Sequence, residues 1–228
     1  MRIFDNTTEA YPEILRDIVK FGRTAFSKTV QNLKDVSPEE YSMKELQLYS
    51  FCILDDSDRR NTCKDLEWLM LEFRERVFES NNPNPGEAYI VRKAYWDKFL
   101  VDGKFCYTYG ERMQPSLYKA IMLLKENPET RQAIISVWDR EIDTQNTGGI
   151  KRVPCTMYYN VQIREGKVDI IYHMRSSDFF EHFRNDLTLA GELKHFVSKS
   201  IGVPPGKTFM SVDSLHAYKK DWETLGIY

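Results

Sequence analysis

Residues 157–163 and 168–174 both alternate between apolar and polar side chains, and Arg164-Glu165-Gly166-Lys167 lies between them. A two-residue period sends alternate side chains to opposite faces of a strand, and the glycine-bearing turn folds the two runs into a hairpin. Leu187, Leu189, Leu193, Phe196, Val197 and Ile201 follow at helical spacing, and Gly202 with Pro204-Pro205-Gly206 ends that helix. A last strand is expected over 208–212. Hairpin, helix and strand in succession rule out strict β-α-β alternation. The expected fold is therefore α+β, a mixed sheet with helices on one face.

The first half fits the same plan. Tyr11, Ile14, Leu15, Ile18 and Val19 predict a helix that Gly22 ends. Residues 46–54 read as a strand. Leu66, Leu69, Met70, Phe73 and Val77 predict a second helix, stopped by Asn81-Asn82-Pro83-Asn84-Pro85-Gly86. A third helix is expected over 116–126, ended by Asn127-Pro128, and a short strand over 133–138. No repeat, low-complexity tract or linker interrupts the chain. Its 228 residues suit one domain, 1–228, with a sizeable core.

Charge and cysteine usage narrow the class. A net charge of −2 gives no basic field of the kind that binds nucleic acid. No apolar run is long enough to span a membrane, and Met1-Arg2-Ile3-Phe4-Asp5-Asn6 lacks a signal-peptide core. Cys52, Cys63, Cys106 and Cys155 are widely spaced with no CxxC pair, which argues against a metal site or a disulfide framework. A reducing, cytoplasmic compartment is expected, the host cytoplasm if the chain is phage-encoded.

Free cysteine is ordinarily a small buried hydrophobe, and Cys52, Cys63 and Cys106 fit that role. Cys155 differs. It lies in Val153-Pro154-Cys155-Thr156, at a loop-to-strand junction that can hold a thiol rigidly and exposed. Arg175, one strand away across the hairpin, would favour the thiolate. Downstream stand Met174-Arg175-Ser176-Ser177-Asp178, Phe183-Arg184-Asn185-Asp186 and Asp213-Ser214-Leu215-His216-Ala217-Tyr218. A cysteine, an Arg-Ser pair, an Asn-Asp pair and a His-x-Tyr in this order resemble the catalytic core of the thymidylate synthase superfamily. The resemblance is closest to its pyrimidine-nucleotide hydroxymethylase branch. It covers most of the chain and is specific in the second half.

The resemblance implies a thymidylate synthase-like fold and a homodimer packed sheet against sheet. It implies that Arg23, Arg175 and Ser176 hold the phosphate of a pyrimidine nucleoside monophosphate. Arg131 would reach that phosphate from the partner subunit, with Gln132 where the family has a second arginine. Asp186, with Asn185 beside it, falls on the residue that reads the pyrimidine edge. The synthases carry asparagine there. A carboxylate cannot donate to uracil O4 but accepts well from the cytosine amino group, so Asp186 points to a cytidylate. Asn185 and Asp186 are also good helix N-caps. His216 and Tyr218 match the pair that holds the sugar hydroxyl. Trp96 and Asp178 match folate contacts, and Tyr109-Gly110 matches the active-site wall. Asp65 falls where the family has a catalytic glutamate, one carbon shorter, with Glu67 the other candidate. His182 replaces a glycine near base and folate, whereas His173 and His195 read as structural.

The implied reaction is 5-hydroxymethylation of dCMP or CMP. The thiolate adds to C6, C5 takes the one-carbon unit of 5,10-methylenetetrahydrofolate, and water adds to the resulting methylene. Only residues 219–228 follow Tyr218, so a long folate-covering tail is not expected, which favours water over hydride. A dUMP hydroxymethylase, a thymidylate synthase and a dCMP methyltransferase are the enzymatic alternatives. A nucleotide-binding protein with decayed catalysis is the non-enzymatic one. Ribose and deoxyribose, phage DNA modification and a nucleoside-antibiotic pathway all fit.

Overall fold

The structure is a computed structural model that describes residues 1–30, 33–79 and 84–227. Among these residues eight strands form one mixed sheet. In chain order they are β1 (Arg2–Asn6), β2 (Arg23–Phe26), β3 (Ser42–Asp55), β4 (Ile134–Ser136), β5 (Thr156–Arg164), β6 (Lys167–Met174), β7 (Ser177–Asp178) and β8 (Pro205–Tyr218). The longer helices are α1 (Thr7–Phe21), α2 (Leu66–Phe78), α3 (Tyr109–Glu126) and α4 (Phe183–Ile201). The sheet runs β1-β3-β8-β6-β5-β4, with β2 added to β3 and β7 to β8. The β5/β6 hairpin turns on Glu165 and Gly166, both at positive φ (54° and 71°), the two-residue geometry that suits a twisted hairpin.

Registry places Tyr159, Val161, Ile170, Tyr172, Met210, Phe51 and Phe4 on one face, and all are buried. This face meets the helices: α4 sets Phe183 against Phe51 at 6.0 Å, and Tyr11 of α1 stacks on Phe179 at 4.6 Å. Tyr158, Asn160, Ile171, His173, Phe209 and Ser211 alternate onto the opposite face, where they stay partly exposed. There His173 stacks on Tyr158 and pairs with Asp213.

Helix α3 and strand β8 extend furthest beyond their patterns. Helix α3 starts at Tyr109, not 116, because Thr108 and Glu111 form a capping box ahead of it. Pro115, which usually marks a helix start, sits inside. Gly110 lets α3 approach α2 closely, since a Cβ there would meet the Glu75 carbonyl oxygen at 2.7 Å. Strand β8 continues to Tyr218 because ten of its residues pair with β3. Helix α2 ends at Phe78, ahead of the 81–86 stop, of which residues 81–83 lie outside the described residues.

A buried ionic knot ties α4 to the sheet. Asp56 accepts from Lys194 (2.9 Å), His195 (3.0 Å) and Thr208 (2.8 Å), and Lys194 is fully buried. Burial works against the Asp56 anion, but His195 and Lys194 outweigh it and hold its pKa far below the carboxylate range. Its contribution is therefore complete above the unfolded value near pH 4 and fades only as pH falls below it. Asp56→Ala strands the Lys194 charge, and a loss of roughly 3–5 kcal/mol is expected at pH 7. A melting temperature lowered by on the order of 10 °C would confirm it, and an unchanged one would refute it.

Candidate active site

Cys155 stands immediately before β5, where the chain leaves a loop held from across the hairpin. Arg175 Nε donates to the Pro154 carbonyl (2.8 Å), and Arg175 Nη2 donates to the Val153 carbonyl (3.2 Å). The same Nη2 lies 3.9 Å from the Cys155 sulfur. One guanidinium thus fastens the thiol loop and places positive charge beside the sulfur.

The thiol opens into a cavity of about 660 Å³, ample for a nucleotide. Arg175, Ser176, Asn185, Asp186, His216, Tyr218, Tyr109, Trp96 and Asp178 line it with Cys155. Arg23, Arg131 and Asp65 do not. Arg23 lies on β2 and is held by Glu45 at 2.6 Å. Arg131 is exposed in the connection between α3 and β4. Asp65 precedes α2 and caps it, its carboxylate accepting from the Trp68 N–H at 3.0 Å. Two turns further on, Glu72 is the α2 carboxylate that reaches the cavity wall, together with Glu75.

At the base end, Asp186 lies in the first turn of α4, which begins at Phe183, so neither it nor Asn185 is the cap. Ser177 Oγ donates to Asp186 at 3.3 Å. Burial pushes the Asp186 carboxyl up to about 7, against Arg76 and Ser177, which favour its anion. Asn185 presents a buried Nδ2 with no hydrogen-bond partner among the described residues, although it lines the cavity. An unpaired buried donor is costly, and a ligand oxygen would satisfy it.

The opposite wall is aromatic and cationic. Trp96 stacks on Trp68 (6.4 Å) and lies tilted against His182 (5.9 Å), and the Arg152 guanidinium lies 4.7 Å over Trp96. His182 meets the Tyr95 hydroxyl at 2.9 Å, and burial with Arg152 nearby brings its pKa down to about 3. It is therefore neutral at physiological pH. Arg76 Nε donates to Glu72 at 2.8 Å, and its guanidinium lies 3.7 Å over the Tyr109 ring. The Tyr109 hydroxyl meets Thr156, which meets Tyr172.

Glu72, Arg76, Arg152 and Ser177 were not among the expected site residues. The α2 spacing Trp68–Glu72–Arg76 does trace one helical stripe, a signal hidden by the stronger apolar stripe of Leu69, Phe73 and Val77.

The thymidylate synthase family profile matches residues 9–227, and the chain belongs to that family. A putative thymidylate synthase of Methanosarcina barkeri is 31% identical over 136 residues, 55% of this chain and 61% of that protein. The match thus spans under two thirds of that relative's length. A deoxyuridylate hydroxymethyltransferase of Bacillus phage SP01 is 29% identical over 100 residues, 43% of this chain and 26% of that protein. The fold matches that of the thermostable thymidylate synthase A from Bacillus subtilis, with a TM-score of 0.74 at 15% identity, over 97% of this chain and 83% of that one.

Proposed function

We propose that the protein is a cytidylate 5-hydroxymethyltransferase, acting through a Cys155 thiolate adduct at pyrimidine C6. The observation that carries this reading is Asp186, a buried carboxyl with a pKa near 7 beside Cys155 in one cavity. When protonated, it donates to cytosine N3 while its carbonyl oxygen accepts from the N4 amino group. Its anion still accepts from the N4 amino group but has no proton to give uracil O4. Arg175 and Ser176 hold the phosphate, with Arg23 swinging in from Glu45. His216 and Tyr218 hold the sugar.

5,10-Methylenetetrahydrofolate would supply the one-carbon unit. The residues fit it: Trp96 and Trp68 stack in the wall of the cavity that Asp178 also lines, and the Trp68 indole N–H is a second buried donor without a partner among the described residues. No metal takes part in this scheme. Glu72 sits within the cavity, held by Arg76, and orders water and moves protons at the base. The scheme assigns Asp65 only a capping role. Glu72→Gln should lower kcat by roughly 10²–10³-fold. Asp65→Ala should cost about 1 kcal/mol of stability and change kcat by only a few-fold. Equal losses in kcat would return the role to Asp65.

The partly exposed sheet face is the surface for a second copy of the chain, whose Arg131 would complete the phosphate site. Sedimentation as a monomer would remove that part of the reading. The whole reading is tested by mass spectrometry of the nucleotide product from dCMP, CMP and dUMP with methylenetetrahydrofolate. A hydroxymethylated cytosine with release of tetrahydrofolate is expected. A methylated base with dihydrofolate would mean a synthase instead.

A further inference from the structure

Four strands place one residue each in a single row of the sheet. Arg23 of β2 is opposite Glu45 of β3, Glu45 is opposite His216 of β8, and His216 is opposite Asp178 of β7. The nucleotide reading gives roles to Arg23, His216 and Asp178 and none to Glu45. Yet Glu45 is buried at 6% exposure and makes the contacts that join its neighbours. Its Oε2 accepts from Arg23 at 2.6 Å from Nη2 and 2.8 Å from Nε. Its Oε1 accepts from the Ser214 hydroxyl at 2.6 Å. That hydroxyl lies 3.4 Å from His216 Nδ1, and Nδ1 lies 3.2 Å from the Ser214 carbonyl oxygen.

A carbonyl oxygen only accepts, so Nδ1 carries the imidazole proton. Burial lowers the His216 pKa, against Asp178, the Ser214 carbonyl and Glu45, so the ring is neutral near pH 7. Nε2 is then left as an acceptor. Because the Ser214 proton is committed to Glu45, the serine offers only lone pairs to Nδ1–H. Glu45 therefore reinforces the tautomer that the Ser214 carbonyl sets, by holding the Ser214 proton away from Nδ1. Burial also works against the Glu45 anion, but Ser214 and Arg23 outweigh it and its pKa lies below the ordinary value.

We propose that Glu45 is a positioning residue: it fixes, through Ser214, the His216 nitrogen that accepts the sugar hydroxyl, and it parks Arg23 for delivery to the phosphate. The two ends of the nucleotide site are thereby joined through one row of the sheet. This rests on the nucleotide reading for the identity of the ligand, but not for the state of His216.

Glu45→Gln separates charge from shape. Arg23 demands an acceptor, so the amide oxygen turns to Arg23 and the amide nitrogen to Ser214. Ser214 must then accept, and its proton turns to His216 Nδ1. The ring becomes the Nε2–H tautomer and offers the sugar a donor. Nitrogen-15 NMR of labelled protein reads this directly, with the His216 signals assigned by their loss in His216→Gln. The native protein should show Nδ1–H, and Glu45→Gln should show a majority of Nε2–H with His173, His182 and His195 unmoved. Arg23→Ala should keep the native tautomer.

Binding supplies the second reading. Replacing the 3′-hydroxyl of dCMP by fluorine, which cannot donate, should weaken binding to the native protein about ten-fold, and to Glu45→Gln by less than about two-fold. Should Glu45→Gln not fold, Glu45→Ala also releases the Ser214 proton to turn to Nδ1, and Nε2–H should gain there as well. Ser214→Ala removes that proton but keeps the backbone carbonyl, so it should keep Nδ1–H. An unchanged tautomer in folded Glu45→Gln, or in Glu45→Ala where Glu45→Gln does not fold, overturns the proposal. Native protein that does not bind dCMP, with the tautomer moving as described, refutes the nucleotide reading and upholds the role of Glu45.

Discussion

Cys155→Ala is expected to abolish turnover, with a loss of at least about 10⁴-fold, because no other group can form the C6 adduct. Among the described residues, Cys155 is the cysteine that lines the cavity; Cys52, Cys63 and Cys106 do not. Cys63 comes nearest in function, 3.5 Å from Asn185, but burial raises its pKa and disfavours a thiolate. Nucleotide affinity should stay within a few-fold in Cys155→Ala, since Arg175, Asp186 and His216 are untouched. The Arg175 contacts to the Val153 and Pro154 carbonyls go to backbone, so the loop should hold its shape. The measurement is single-turnover product formation beside calorimetric dCMP binding. Turnover retained in the alanine variant would end the assignment.

Asp186→Asn should invert base preference. Leaving a buried polar atom unpaired costs roughly 1–3 kcal/mol, so kcat/KM for dCMP should fall by roughly 10- to 100-fold while that for dUMP rises. The pH dependence follows from the ionisation of the carboxyl. Burial favours the neutral form, which donates to cytosine N3, and that form is lost as pH rises through about 7. kcat/KM for dCMP should therefore decline on the alkaline side of neutrality in the native protein. Asparagine does not titrate, so this limb should vanish in the variant. A native preference for dUMP, or an alkaline limb that survives in Asp186→Asn, would refute the base-reading role.

The elements readable in advance were those with a strong local period. The β5/β6 hairpin and α4 stand where alternation and helical spacing place them, with α4 beginning four residues before the apolar pattern. Strands β1 and β2 were not expected. They are short, partly exposed additions to β3, stabilised by pairing rather than by their own pattern. Of the expected site residues, Cys155, Arg175, Ser176, Asp186, His216 and Tyr218 share the cavity wall. Asp65 does not, because the helix begins one residue after it and turns its side chain to the helix end. Glu72 does, because it faces inward from the same helix.

The amino-acid sequence by itself determined the α+β class and the cluster around Cys155. Hydrophobic period is a local property, and most of these groups lie beside strand ends within a short span of chain. Only the tertiary structure decided which α2 carboxylate faces the cavity, that Arg23 rests on Glu45, and that Arg23, Glu45, His216 and Asp178 form one row. Those relations come from helix rotation and strand register, which are set by packing and hydrogen bonds between segments far apart in the chain.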